Sequence, residues 1–203
     1  MSREIIAQSV SRETLERLDI YANLLTKWNP KINLVAKSTI PNLWNRHILD
    51  SVQVFKLANN FSHWADLGSG GGFPGLVAAI YSAEFHPEGR ITLVESDQRK
   101  CAFLRNVARE AGLDIQVLAE RIEEIPSLGA DVLTARALAS LTELLDFASR
   151  HLSADGMAVF PKGARWKAEV EEAERHWHFN WTSLASRTDE QAVILKIKGI
   201  VRV

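Results

Sequence analysis

The sequence predicts a single α/β domain, built on a mostly parallel sheet that ends in an antiparallel hairpin, with a short helical extension ahead of it. Three observations carry that prediction. From His63 onward, short β-branched runs alternate with helical segments, the grammar of right-handed βαβ units. A dense glycine loop joins the first of these strands to its helix. The last two apolar segments are separated by only a short turn, and strands connected that way run antiparallel.

The extension covers residues 1–60. Leu15, Leu18, Ala22, Leu25 and Trp28 recur at helical spacing, and Pro30 is expected to stop that helix. After KINLVAK, Pro41 sits where a first helical turn tolerates it, and Trp44, Ile48, Val52 and Phe55 mark a second helix face. A seam is expected near Asn59–Ser62, and residues 61–203 form the sheet domain. HWADLGSG is a strand running into the glycine loop, and FPGLVAAIYSAEF is the helix after it. RITLVES is a second strand, followed by a helix over DQRKCAFLRNVAREAG that Gly112 closes. DIQVLAE and ADVLTA are the third and fourth strands, SLTELLDFASRHL a helix and GMAVFPK the fifth strand. A charged helix spans roughly Trp166 to His176, and FNWTSLAS and QAVILKIKGIVRV form the hairpin around Asp189.

Composition bounds what such a chain does. With 203 residues there is room for one core and a small appendage. No apolar run approaches the roughly 20 residues that cross a bilayer, and the first ten residues lack a signal-peptide pattern. A single cysteine, Cys101, excludes an internal disulfide and any multi-cysteine metal site. The cytoplasm is the expected compartment. A net charge of −1 does not advertise nucleic-acid binding, although a local basic patch survives that average.

The segment Asp66-Leu-Gly68-Ser-Gly70-Gly-Gly72-Phe73-Pro74-Gly75 is the most informative. Glycines there let the backbone turn sharply and approach a ligand closely. Two ligand classes fit. Gly70, Gly72 and Gly75 satisfy G-x-G-x-x-G, with Glu95 about 20 residues on, as in a dinucleotide site. The same stretch reads as an acid followed by alternating glycines, which resembles the cofactor loop of class I, Rossmann-like methyltransferases. The chain leaves too little after the loop for a second mononucleotide half and a substrate domain, which favours S-adenosylmethionine as cofactor. Glu95 ends the second strand at the carboxyl edge, where an acid accepts hydrogen bonds from ribose hydroxyls. Beyond the third strand, Ile122 offers a surface for an adenine ring, beside the acids of Glu120-Arg121-Ile122-Glu123-Glu124.

The motifs WNPKINLV, RHILDS, DLGSGGGFPG, RIEEIP, TARALASL and PKG occur in this order, and the chain resembles the RsmG (GidB) family from about Tyr21 to the end of the sheet. These are bacterial methyltransferases of 16S ribosomal RNA. The resemblance implies methylation of N7 of guanine-527 in the small subunit. It also implies cofactor contacts at Gly68 and Phe73 on the methionine side, at Ile122 and Glu123 on the adenine side, and at Arg136. Gly71-Gly72 is richer in glycine than many relatives.

Guanine N7 carries an in-plane lone pair and needs no deprotonation, so the lack of an evident general base is expected. No catalytic residue is assigned outright. Arg136 and Lys162, at strand ends on the catalytic edge, are the candidates for holding phosphate, guanine O6 or the methionine carboxylate. His47, Asp50 and Ser51 share one helix face with Arg46 beside it. That group either docks the extension on the sheet or contributes to the RNA or methionine end, and it is too small for a metal site. Lys27, Lys31, Lys37 and Arg46 form a weak basic patch suited to RNA, while Trp28 and Trp44 read as core. A monomer with no protein partner is expected. Two other classes stay open: a nicotinamide-dependent oxidoreductase, and a non-catalytic RNA-binding assembly factor on the same fold.

Overall fold

A run of helices precedes the first strand, and strands and helices then largely alternate up to a closing pair of strands, in a computed structural model that describes residues 2–58 and 60–203. The strands β1 (His63–Leu67), β2 (Arg90–Val94), β3 (Gln116–Leu118), β4 (Ala130–Ala135), β5 (Leu152–Lys162), β6 (Trp177–Ala185) and β7 (Val193–Arg202) form one sheet, in the order β3-β2-β1-β4-β5-β7-β6. β1 to β5 pair in parallel, and β7 is antiparallel to both β5 and β6. The order reverses between β1 and β4, and such a switch point opens a crevice at the carboxyl ends of the strands. A dinucleotide fold would continue with a second parallel mononucleotide half. The antiparallel β7 takes that place here, so the sheet lacks the second mononucleotide half of such a fold.

The helices are α1 (Ser2–Ala7), α2 (Arg12–Ile32), α3 (Asp50–Phe55), α4 (Gly75–Phe85), α5 (Gln98–Glu110), α6 (Leu141–His151) and α7 (Trp166–Ala173). Local chemistry sets several ends. Ser11 caps α2 by accepting from the Thr14 amide, Asp97 caps α5, and Ser140 with Glu143 forms a reciprocal capping box on α6. α4 is apolar around its whole circumference, with every residue from Gly75 to Ser82 buried. A helix of that kind needs cover on both sides. The sheet covers one, and α2 and α3 of the extension cover the other. Leu18, Tyr21 and Leu25 therefore share one core with Val77, Ile80 and Phe103, while a second core lies under α6 and α7 on the opposite face.

Three sequence expectations are corrected. Pro30 does not stop α2, which runs on to Ile32. The proline ring is compatible with helical φ and removes only one donor. The chain turns at Asn33, whose φ is 49°, and the buried Asn29 side chain accepts the Val35 amide at 2.9 Å. The second helix is composite: a 3-10 turn over Lys37–Asn42 and a π turn over Trp44–Leu49 lead into α3. Irregular turns of that kind mark functional sites in helices. The charged helix ends at Ala173 rather than near His176, so the hairpin starts earlier, at Trp177. The expected seam starts at Asn59, which lies outside the described residues. No described helix is long and apolar enough to cross a membrane.

Candidate active site

The glycine loop leaves β1 with Gly68, Gly70 and Gly72 at φ values of 61°, 53° and 93°, all in the region that side chains disfavour. A Cβ on Gly70 would meet nothing nearer than the Gly68 carbonyl at 3.7 Å, so this face of the backbone is open to a ligand. The Ser69 amide donates to the Val94 carbonyl and the Gly72 amide to the Ser69 carbonyl. Glu95 locks the loop to β2: its carboxylate accepts from the Gly70 amide at 2.9 Å and the Asp97 amide at 2.8 Å. Each Glu95 oxygen retains a lone pair for a hydroxyl donor.

Beneath the loop, Asp66 is fully buried. Thr134 donates to its Oδ1 at 2.7 Å, and Oδ2 has no hydrogen-bond partner among the described residues. Burial raises its carboxyl to about 6, and the Thr134 hydroxyl opposes that shift.

The loop opens on a cavity of about 780 Å³ at the carboxyl edge of the sheet. Gly68, Phe73, Glu95, Ile122, Glu123 and Arg136 all line it, so six residues read from sequence meet in one place. Ile122 is buried and Glu123 exposed. Lys162 stands apart. It lines an adjoining cavity of about 300 Å³, and its ammonium donates to the Ala139 carbonyl at 3.1 Å and to Glu169 at 2.6 Å. Arg136 and Asp50 line both cavities.

Arg136 organises the wall between them. Its guanidinium lies 5.0 Å from the centre of the Phe73 ring and donates to His47 Nδ1 at 2.8 Å. His47 stacks on the same ring at 5.0 Å. Arginine can only donate, so Nδ1 is the acceptor, and Nε2 carries the proton and donates to Thr39 Oγ1 at 2.7 Å. Burial, with Arg136 and Arg46 nearby, lowers His47 to about 4, so the ring is neutral at physiological pH. Asp50 Oδ2 lies 3.6 Å from Arg136 Nη1, and Asp50 Oδ1 accepts from Thr188 at 2.8 Å and Ser186 at 3.3 Å. The shared helix face thus divides: His47 and Asp50 face the cavity, while Ser51 is buried and donates to the His47 carbonyl. The network docks the extension on the sheet, and His47 and Asp50 also line the cavity.

Sequence reading missed two contributors. Tyr21 is fully buried and donates to the Gly71 carbonyl at 2.6 Å, pinning the glycine loop to α2. Its signal was a hydroxyl beside the apolar stripe of Leu18, Ala22 and Leu25. Thr188 comes from the hairpin turn and carries no local signal. Among the predicted basic residues, Lys27, Lys31 and Lys37 are exposed, and Arg46 pairs with Asp189 at 3.1 Å. Trp28 and Trp44 are half-buried, Trp28 packing against Phe103. Among the described residues no cluster of metal-ligating side chains occurs.

Comparison with known proteins adds a second line. The family model for GidB, rRNA small subunit methyltransferase G, matches residues 14–193. A relative from Ruegeria pomeroyi named ribosomal RNA small subunit methyltransferase G is 57% identical over 195 residues, covering 96% of each chain. One of the same name from Cereibacter sphaeroides is 47% identical over 205 residues, covering all of both. Among solved structures, a methyltransferase from Geobacter sulfurreducens is similar in fold, with a TM-score of 0.63 at 13% identity over 89% of this chain and 88% of that one. A TehB-like SAM-dependent methyltransferase from Corynebacterium glutamicum gives a TM-score of 0.59 at 15% identity, covering 88% and 97%.

Proposed function

The chain belongs to the rRNA small subunit methyltransferase G family, and on that premise we propose that it methylates N7 of guanine-527 in 16S rRNA of the small ribosomal subunit, using S-adenosylmethionine. The observation that carries this reading is the cavity of about 780 Å³ at the switch point, which the glycine loop, an acid after β2 and an apolar residue beyond β3 line together. These residues fit the cofactor. The backbone at Gly70 leaves room for its close approach, Glu95 accepts from ribose hydroxyls, and Ile122 with Glu123 borders the adenine. Phe73 and Arg136 bound the methionine end.

When bound, S-adenosylmethionine supplies a methyl group on a positively charged sulfonium. The protein's own work is then to align and to dry the site. N7 attacks with a lone pair, so no residue has to remove a proton first. The neutral His47 ring and the Phe73 face give the site an apolar wall, and Arg136 places a fixed donor at its far side. Lys162, tied to Glu169 and the Ala139 carbonyl, holds the turn after β4 beside that wall. In this reading residues 1–60 act as a cover and RNA-facing arm on the cofactor-binding domain of residues 61–203. Support comes from Lys31 and Lys37, which flank Leu34, Val35 and Ala36 at the cavity rim. A cytoplasmic monomer without a protein partner completes it.

Incubation with radiolabelled S-adenosylmethionine and small subunits, followed by mapping of the labelled nucleotide, tests the reading. Label on guanine-527 is expected. Label on another nucleotide, or none in the presence of cofactor binding, overturns it.

A further inference from the structure

We infer that Asp50 and Arg136 together read the target base as guanine, Asp50 accepting from its N1–H and 2-amino group while Arg136 donates to O6. The inference rests on N7 methylation as the reaction. With N7 aimed at the cofactor, O6 is the next polar atom around the ring and N1 the one after. Guanine therefore presents an acceptor and then a donor, whereas adenine presents its N6 donor and then an acceptor. A complementary wall must offer a donor on the cofactor side and an acceptor beyond it.

The wall between the two cavities offers that pair side by side, both side chains lining both cavities. Arg136 sits on the cofactor side, 5.0 Å from the ring of Phe73, which lines the glycine-loop cavity. Asp50 lies next to it, its Oδ2 3.6 Å from Arg136 Nη1. The Asp50 carboxylate is aimed rather than free: Thr188 and Ser186 occupy Oδ1 from the hairpin turn, and among the described residues Oδ2 has no closer polar partner than Arg136. Oδ2 thus keeps its lone pairs for two donors, and Arg136 has donors left after its bond to His47. Both side chains are largely buried, with 15% and 19% of their surface exposed, so a base without complementary groups displaces water from them without replacing its hydrogen bonds. The 300 Å³ cavity that both line is at the lower end of ligand-site volumes and suits a single base. Lys162 also lines it, its ammonium already bonded to Ala139 and Glu169.

The test compares small subunits reconstituted with guanosine or inosine at the target position, using the wild-type chain and Asp50→Asn. Inosine keeps N7, O6 and N1–H but lacks the 2-amino group. The wild-type chain is expected to methylate inosine with kcat/KM about tenfold or more below guanosine, the usual size for a hydrogen bond to a charged partner. Asp50→Asn should lower guanosine methylation at least as far, bring the guanosine-to-inosine ratio close to one, and leave binding of S-adenosylhomocysteine unchanged. Equal wild-type rates on the two bases overturn the inference, and that arm needs no variant. An unchanged ratio in Asp50→Asn, with both rates lowered together, also overturns it and leaves Asp50 a purely structural tie to the hairpin turn. If the wild-type chain methylates neither base while still binding cofactor, it is the N7 reading that has failed.

Discussion

Replacing Tyr21 with phenylalanine isolates one oxygen that joins the helical extension to the cofactor loop. The Tyr21 hydroxyl donates to the Gly71 carbonyl at 2.6 Å, in a position from which water is excluded. Burial raises its pKa well above the ordinary value, so it remains a neutral donor at any working pH. Phenylalanine keeps the ring contacts with Phe73 at 5.1 Å and Phe103 at 6.3 Å. The substitution therefore removes a hydrogen bond without opening a large cavity, and leaves a buried carbonyl unpaired. That costs about 1–3 kcal/mol, which lowers the melting temperature of a chain this size by roughly 2–12 °C. The Gly71 carbonyl belongs to the loop proposed to cradle the cofactor, so affinity for S-adenosylhomocysteine should fall as well, by several-fold. Differential scanning calorimetry and titration calorimetry on Tyr21→Phe measure both effects. A variant with unchanged melting temperature and unchanged affinity would refute the idea that α2 holds the loop. A loss of stability alone would confine Tyr21 to the core.

Three other outcomes follow from the same geometry. Gly70→Val places a β-branched side chain at a φ of 53°, a backbone cost of roughly 1–2 kcal/mol, and projects it into the cavity; cofactor binding should vanish while circular dichroism stays folded, and retained binding would mean the loop does not touch the ligand. Asp66 has a folded pKa of about 6 against an ordinary 3.8, so the fold disfavours its ionised form: stability from this group is fully present below about pH 4 and is lost as pH rises through 6, by about 3 kcal/mol in all. Asp66→Asn should remove that dependence, and a wild-type-minus-variant difference in urea stability that stays flat between pH 4 and pH 8 would contradict the burial effect. Lys31→Glu with Lys37→Glu should reduce methylation of small subunits strongly and flatten the salt dependence of binding by about two, with cofactor affinity unchanged; if methylation and salt slope both hold, the RNA surface lies elsewhere, and Lys196, Lys198 and Arg202 on β7 are the next cations to replace.

Sequence by itself determined what depends on short-range patterning. Helical spacing from Leu15 to Trp28, β-branched runs such as RITLV and the glycines of residues 68–75 are local signals, because backbone preference and side-chain periodicity act over a few residues. They were enough to place every strand of the sheet and to predict its antiparallel end. Strand-end position also picked out Glu95 and Ile122 in the main cavity, since the carboxyl ends of β1, β2, β3 and β4 converge in a parallel sheet with a switch point, whereas Gly68, Phe73, Glu123 and Arg136 were carried over from the family resemblance. Tertiary structure decided the rest. Whether Pro30 ended α2 depended on Asn29 and Asn33 providing the turn three residues later. That Lys162 bonds to Glu169, while Arg136 meets Phe73, His47 and Asp50, depended on contacts between residues 7 to 89 positions apart. The same holds for Tyr21 on Gly71, 50 positions away, and Thr188 on Asp50, 138 away. Hydrogen bonds and ion pairs between distant segments have no period and leave no trace in neighbouring residues. They exist only once burial of α4 between the sheet and the extension has brought those segments together.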